Sequence, residues 1–548
     1  MTQGPMLGGH AAALAIKTAG VSTIFTLCGG HICALYDGCL EYGVEVVDVR
    51  HEQAAVHAAD AWARVTRGLG VAVVTAGPGV TDAVTGVVAA WFAQSPVLII
   101  AGAPKQGLMG RGTLQEMDQV TLLEKHTKAQ FVCTSPDRVA ELVSQAAQVA
   151  LSGVPGPVFV EIPFDVMVGN SEVTRTHQAE FKALPQGADP SSVERLAAML
   201  DQAEKPVLFC GSSIWWDGAA DEVRKLVALG LPLFVNGMGR GVLPPTHDGL
   251  YALSREHAFR TTDALVLVGA PLDFRMGYGE GINATAQIGQ IDRDSKQFGK
   301  NRRSDVMIHA DSKSALGALA AALEKRGAAR WSDWRKELRA KENEKRERQL
   351  AWERDDGAPM NQFRIGRAIQ NTLDENTIIV GDGGYVVTLA AKVISPLAIG
   401  NWLDPGAFGT LGVGPPFALA AKRARPDAHI VLLLGDGAFG LNGFDLETCV
   451  RFDCPMTVVV GNDAAWGQIL IPQIQSFGRE RAIGARLAPI RYDKVVEAFG
   501  GAGEHVDSGP ELDAALRRAR DSGKVYCIDA RVDQEFVLRE KLARTTVL

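Results

Sequence analysis

The run IVLLLGDGAFGLNGFDLETCVRFDCPMTVVVGND, residues 430–463, decides the fold. Ile430–Leu434 has the length and apolar character of a strand buried on both faces. A helical pattern follows Gly435-Asp436-Gly437, and a second buried strand, Thr457–Val460, runs into Gly461-Asn462-Asp463. Strand, glycine turn, helix, strand is the unit of a parallel α/β domain. Glycines at 435 and 437 let backbone N–H groups approach a phosphate, and the helix behind them offers its positive end. Asp436 supplies a hard oxygen of the kind Mg2+ takes together with phosphate oxygens. Alone, the Gly-Asp-Gly turn is weak evidence, since an aspartate capping its own loop looks the same. Its pairing with a second strand-terminal acid, Asp463, points to a metal and phosphate site.

Working outward, the same alternation fills the chain. Strands are expected at Val44–Val49, Val71–Thr75, Val97–Ala101, Val158–Ile162, Val207–Cys210, Leu265–Val268 and Ile378–Val380, several ending in glycine. A polar stretch from about Val166 to Pro190 reads as a linker. The charged run Trp331–Asp356 reads as a solvent-facing helix and then a loop. These breaks predict an α/β protein with three doubly wound parallel-sheet domains at 1–168, 190–328 and 357–535, then a tail at 536–548. No short-period repeat is visible.

Of the 548 residues 47% are hydrophobic and 22% charged, with a formal net charge of −7, which describes globular domains and disfavours nucleic acid as a partner. The N-terminus lacks the basic start and apolar core of a secretory signal, and no apolar run approaches the roughly 20 residues of a membrane span. Cysteines 28, 33, 39, 133, 210, 449, 454 and 527 are scattered without a C-x-x-C pair, so they are expected reduced, structural and cytoplasmic.

Four further blocks sharpen the reading: DVRHEQAAVHAADAWARVTR at 48–67, VVTAGPGVTDAV at 73–84, VGDGGYVV at 380–387 and GTLGVGPPFALA at 409–420. Taken alone, Glu52 is an ordinary helix-start acid. Taken together, in this order, the blocks resemble the thiamine-diphosphate enzymes that make or break a carbon–carbon bond next to a carbonyl. The resemblance implies a pyrimidine-binding first domain, a middle domain and a diphosphate-binding third domain. It implies thiamine diphosphate and Mg2+ as cofactors, with Asp436, Asp463 and the Ala465 carbonyl on the metal. Asp463 departs from the family pattern, which usually has Asn there. Gly383, Gly384, Tyr385, Gly437 and Ala438 are implied around the diphosphate, and Gly409 and Leu411 at the pyrimidine. Glu52 would hydrogen-bond the aminopyrimidine ring. Because the two halves meet across subunits in that family, a homodimer is the smallest expected unit and a homotetramer the fuller one.

The blocks TLCGGH at 26–31 and GTLQEMDQV at 112–120 resemble the substrate loops of acetolactate synthases and 2-hydroxyacyl-CoA lyases. They imply catalytic roles for His31 and Gln115, although His31 also reads as a satisfied structural histidine. NDAAWGQILIPQ, 462–473, puts Pro472 where the synthases carry the Trp that selects their acceptor. The middle segment lacks a convincing FAD pattern. Its strand-end Gly211, Asp273 and Asp292 suit a nucleotide, and the resemblance implies that this domain holds the ADP part of coenzyme A. The resemblance therefore implies a lyase acting on an acyl-CoA, splitting a 2-hydroxyacyl-CoA reversibly into formyl-CoA and an aldehyde or ketone. An acetolactate synthase or other 2-keto-acid enzyme, and an inactive structural or regulatory paralogue, remain alternatives. The tail, EFVLREKLARTTVL at 535–548, is expected to be a lid or surface packing.

Overall fold

A computed structural model describes residues 6–171, 184–327 and 331–542. Within them the chain builds three parallel sheets. The first contains Thr23–Thr26, Glu45–Asp48, Gly70–Val74, Val97–Ala103, Gln130–Val132 and Val158–Pro163. The third contains Thr377–Gly381, Trp402–Leu403, His429–Gly435, Met456–Asn462, Ala502–Val506 and Val525–Arg531. Both place their strands side by side in the order second, first, third, fourth, sixth, fifth. The middle sheet, Pro206–Cys210, Leu233–Val235, Ala264–Val268, Gln287–Asp292 and Val306–His309, runs second, first, third, fourth, fifth. In each, the order reverses between first and third strands, so the loops leaving those two diverge and open a crevice at the carboxyl edge.

All nine expected strands are present, eight of them as apolar runs buried from both sides by helices, while Glu45–Asp48, at the edge of its sheet, is only partly buried. The expected linker loses its first residues to the first domain: Val166 and Met167 are buried, and Asn170–Ser171 pairs antiparallel with Met6–Leu7. Its residues 172–183 lie outside the described residues.

The first and third domains pack within one chain through the helices Glu52–Thr66 and Gly414–Ala424. Ala54, Ala55, Ala58 and Ala59 are fully buried, and their small side chains let the helices approach closely. Arg64 donates to Asp60 at 2.7 and 2.6 Å and to the Asp404 carbonyl at 2.7 Å, so this buried pair also ties the two domains. Trp215 joins all three. Its indole N–H donates to the Arg64 carbonyl at 2.7 Å, Arg67 lies 5.0 Å over its ring, and the ring fills the space beside Gly400. Trp215→Ala is therefore expected to cost about 3 kcal/mol, measured as an earlier thermal transition with the strand content of the protein unchanged.

The charged helix spans Ser332–Glu353, but it is more than a solvated face. Glu342 accepts from the N–H groups of Ala252, Leu253 and Ser254, and the fully buried Glu353 carboxylate takes Arg346 at 2.8 Å, Gln349 and Arg367. Ala252, Leu253, Ser254 and Arg367 lie outside the helix, so a charge run alone could not reveal them. The tail starts inside the core: Phe536 and Val537 are buried against Phe363, Leu389 and Ile471. Residues 543–548, the remainder of the expected lid, lie outside the described residues. No helix among the described residues is long and apolar enough to cross a membrane.

Candidate functional site

The third sheet pairs Gly435 with Gly461 in register, so the loops after these two strands leave side by side. That pairing brings Asp436 and Asp463 into one pocket at the reversal of strand order, where Gly383, Gly384 and Tyr385 enter from the first strand. Leu411, Gly437, Ala438, Ala465 and Trp466 complete its wall. Asp436 is buried; its carboxylate accepts from the N–H of Gly437 at 2.9 Å and of Ala465 at 3.2 Å. Burial pushes its pKa up to about 6. Burial, and then the charge of Asp436, pushes Asp463 up to about 7. The lining contains neither Lys nor Arg. Two buried carboxylates, the charge of Asp436 raising Asp463, in a glycine-walled pocket without a basic residue, fit a divalent cation that in turn carries a phosphate. Among the described residues no cluster of three or more His, Cys, Asp or Glu forms a metal cage, so further ligands would come from backbone, water or the phosphate itself.

Leu411 overhangs this pocket so closely that any side chain at Gly383 would collide with its Cδ2. What holds Leu411 there is Asp382, a residue the sequence reading passed over. Its buried carboxylate accepts from Gly412 N at 3.0 Å and Gly414 N at 2.7 Å, while Asn442 donates to the Gly412 carbonyl at 2.7 Å. Gly409 begins the same loop in a left-handed conformation, φ +68°. The only signal for Asp382 was its place beside Gly383-Gly384, and nothing in the sequence joined it to a loop 30 residues away.

The first domain forms a second constellation at its own reversal point. Glu52 opens its helix, is 7% exposed, and makes no side-chain hydrogen bond to another residue among the described residues. Burial raises its pKa, opposed chiefly by its own backbone N–H. It faces the Gly77-Pro78-Gly79 turn: a Cβ on Gly79 would stand 3.5 Å from Glu52 Oε1 and 3.0 Å from Thr75 Cγ2. Thr75 Oγ1 lies 3.2 Å from His31 Nδ1. Burial lowers the His31 pKa, and a hydrogen bond to Gln115 opposes that shift, which leaves a neutral imidazole at neutral pH. Gln115 itself lies against Gly77 with φ +62°, a left-handed backbone rare outside glycine and often found where function dictates the conformation. Gln119, also passed over in the sequence, braces the turn by accepting from Gly77 N and donating to the Gly102 carbonyl.

Glu52, His31 and Gln115 thus gather around one turn, yet none of them lines the pocket of Asp436 and Asp463. The two constellations are separate halves. In the middle domain, Gly211 abuts the Gly269 carbonyl where the strand order reverses. Asp292 is pushed up to about 6 by burial and accepts from Asp294 N at 2.8 Å. Asp273 is committed to Arg275, 2.5 Å away, so a ribose there would compete with that guanidinium.

Comparison with known proteins matches all three domains. The N-terminal TPP binding domain of thiamine pyrophosphate enzymes fits residues 6–122, their central domain 193–319, and their C-terminal TPP binding domain 382–530. Acetolactate synthase large subunit IlvG of Mycobacterium tuberculosis is 36% identical over 532 residues, 96% of this chain and 96% of that one. 2-Hydroxyacyl-CoA lyase 2 of Bos taurus is 38% identical over 572 residues, 95% of this chain and 88% of that one. The human protein of the same name is 36% identical over 545 residues, 90% and 84% of the two chains.

Proposed function

The chain belongs to the thiamine pyrophosphate enzymes, and from that premise we propose that it is a carbon–carbon lyase and ligase acting on 2-hydroxyacyl-CoA. Bound thiamine diphosphate supplies a nucleophilic carbon that adds to a carbonyl, and a ring that stabilises the negative charge left on that carbon. The protein's part is to hold, orient and manage protons. Asp436, Asp463 and the Ala465 carbonyl hold Mg2+, and Gly383, Gly384, Tyr385, Gly437 and Ala438 close around the diphosphate. Leu411 would pack against the bound cofactor where it overhangs the pocket, and Gly409 would meet the pyrimidine. Glu52, contributed by a second copy of the chain, holds a proton against the pyrimidine nitrogen. Gln115 donates to the substrate oxygen and His31 passes a proton to or from it.

One observation carries the lyase reading. Neither the pocket of Asp436 and Asp463 nor the cleft lined by Met109 and Asp118 has a Lys or Arg in its lining to receive the carboxylate of a free 2-keto acid, and Lys105, on the His31 side, lies over the Phe164 ring. A thioester has no such carboxylate to satisfy. Its nucleotide end would lie at Gly211 and Asp292, with Asp273 available if Arg275 moves aside. The second reading, an acetolactate synthase, is favoured by the 36% identity to IlvG over 96% of both chains.

The test offers formyl-CoA with an aldehyde, and separately pyruvate, to protein supplied with thiamine diphosphate and Mg2+. In the first reaction the formyl carbon joins the aldehyde carbon. The formyl hydrogen leaves as a proton and the new alkoxide takes one up, so the 2-hydroxyacyl-CoA is the sum of its reactants. Its formation is expected. Rapid acetolactate formation from pyruvate would reject the lyase in favour of the synthase, and silence in both assays with cofactor bound would leave the inactive paralogue.

A further inference from the structure

We propose that Asp463 enables the chain to take up a divalent cation by itself, before any diphosphate arrives, and so sets the order in which the site assembles. The inference rests on the cation site described above and concerns what its second carboxylate adds.

Mg2+ in phosphate-handling sites usually takes one or two protein carboxylates and obtains the rest of its negative charge from the phosphates. A site with one carboxylate therefore waits for its diphosphate. Here the pocket holds two, Asp436 and Asp463, with no Lys or Arg in the lining to offset them. The orientation of Asp463 is built in. Its Oδ2 would stand 2.8 Å from a Cβ at position 467, so the glycine there leaves room for the carboxylate to turn into the pocket.

The loop is also fixed in advance. Gln534 donates to the Asp463 carbonyl at 2.8 Å. Ala464 adopts a left-handed conformation, φ +53°, with its N–H on Asn462 Oδ1 at 3.3 Å. Asn462 is anchored in turn by donating to Asp529 and to the Ile490 carbonyl, both at 2.9 Å. A loop tied to Gln534, Asp529 and the Ile490 carbonyl around a strained residue keeps its shape without a ligand, so a cation pays little to organise it. The cation then presents a positive surface to a diphosphate that the lining alone would repel.

The test uses full-length protein stripped of cofactor and titrated with Mn2+ alone, followed by electron paramagnetic resonance and calorimetry, beside Asp463→Asn. The parent is expected to bind one Mn2+ per chain below about 1 mM, displaced by Mg2+, and the variant to bind at least about tenfold more weakly. Melting curves without cation establish that the variant is folded; because a repulsion is removed, its transition should be equal or higher. Asp463→Ser gives a second variant should Asp463→Asn fail to fold. No Mn2+ bound until thiamine diphosphate is added, or equal affinity in parent and variant, would overturn the inference while leaving the cofactor site intact. Failure of the parent to bind thiamine diphosphate even with Mg2+ would overturn both this inference and the site on which it rests.

Discussion

Glu52→Gln is expected to fold like the parent and to lose about 100- to 10,000-fold in kcat, the range for removing a positioned proton donor and acceptor. The carboxylate contributes little to the fold: it makes no side-chain hydrogen bond among the described residues, and His51, not Glu52, caps the helix by accepting from Gln53 N. Burial disfavours its charged form, so a neutral amide of the same shape relieves a cost. What the amide lacks is a proton to share. The measurement is kcat beside a melting curve and a cofactor titration. Turnover within about tenfold of the parent, with folding intact, would remove Glu52 from the chemistry.

Asp436→Ala is expected to act on binding as well as rate. Its carboxylate is the point at which the loops after two adjacent strands are joined, by Gly437 N on one side and Ala465 N on the other. Removing it takes away the cation's anchor and frees the loop that carries Asp463. Losing a group that merely orients a metal ligand costs 10- to 100-fold, so losing the ligand itself should weaken thiamine diphosphate by about 100-fold or more. Excess Mg2+ should recover part of the affinity and little of the rate. Unchanged affinity would show that the diphosphate is held elsewhere.

Much of this site was legible in the sequence because it is local. Gly435-Asp436-Gly437 and Asn462-Asp463 end two central strands, and apolar runs buried from both sides are the clearest periodic signal a chain offers. Glu52, Gly383 and Leu411 are likewise recognisable from the short blocks around them. Two edge strands, Gln130–Val132 and Trp402–Leu403, were not legible, since they are too short to show a period. The shared strand order of the first and third domains was equally hidden, because it resides in pairing and not in residue identity. Asp382, Gln119 and Trp215 escaped for a related reason. Each acts through backbone groups far along the chain, and a carboxylate waiting for Gly412 and Gly414 looks the same in sequence as any strand-end aspartate. The charged helix misled in the opposite direction, its Glu342 being engaged by the N–H groups of Ala252, Leu253 and Ser254 and its Glu353 by Arg367, which only the fold brings near.

The most direct measurement is subunit complementation. Glu52→Gln and Asp436→Ala, each inactive alone, are unfolded together, refolded as a mixture and assayed with thiamine diphosphate and Mg2+. If the half-site of Glu52 in one copy closes on the half-site of Asp436 in the other, each mixed dimer carries one intact site. The mixture should then recover about a quarter of parental activity. A mixture that stays at the level of its inactive components, although mixed dimers are detected, would contradict a site shared between two chains.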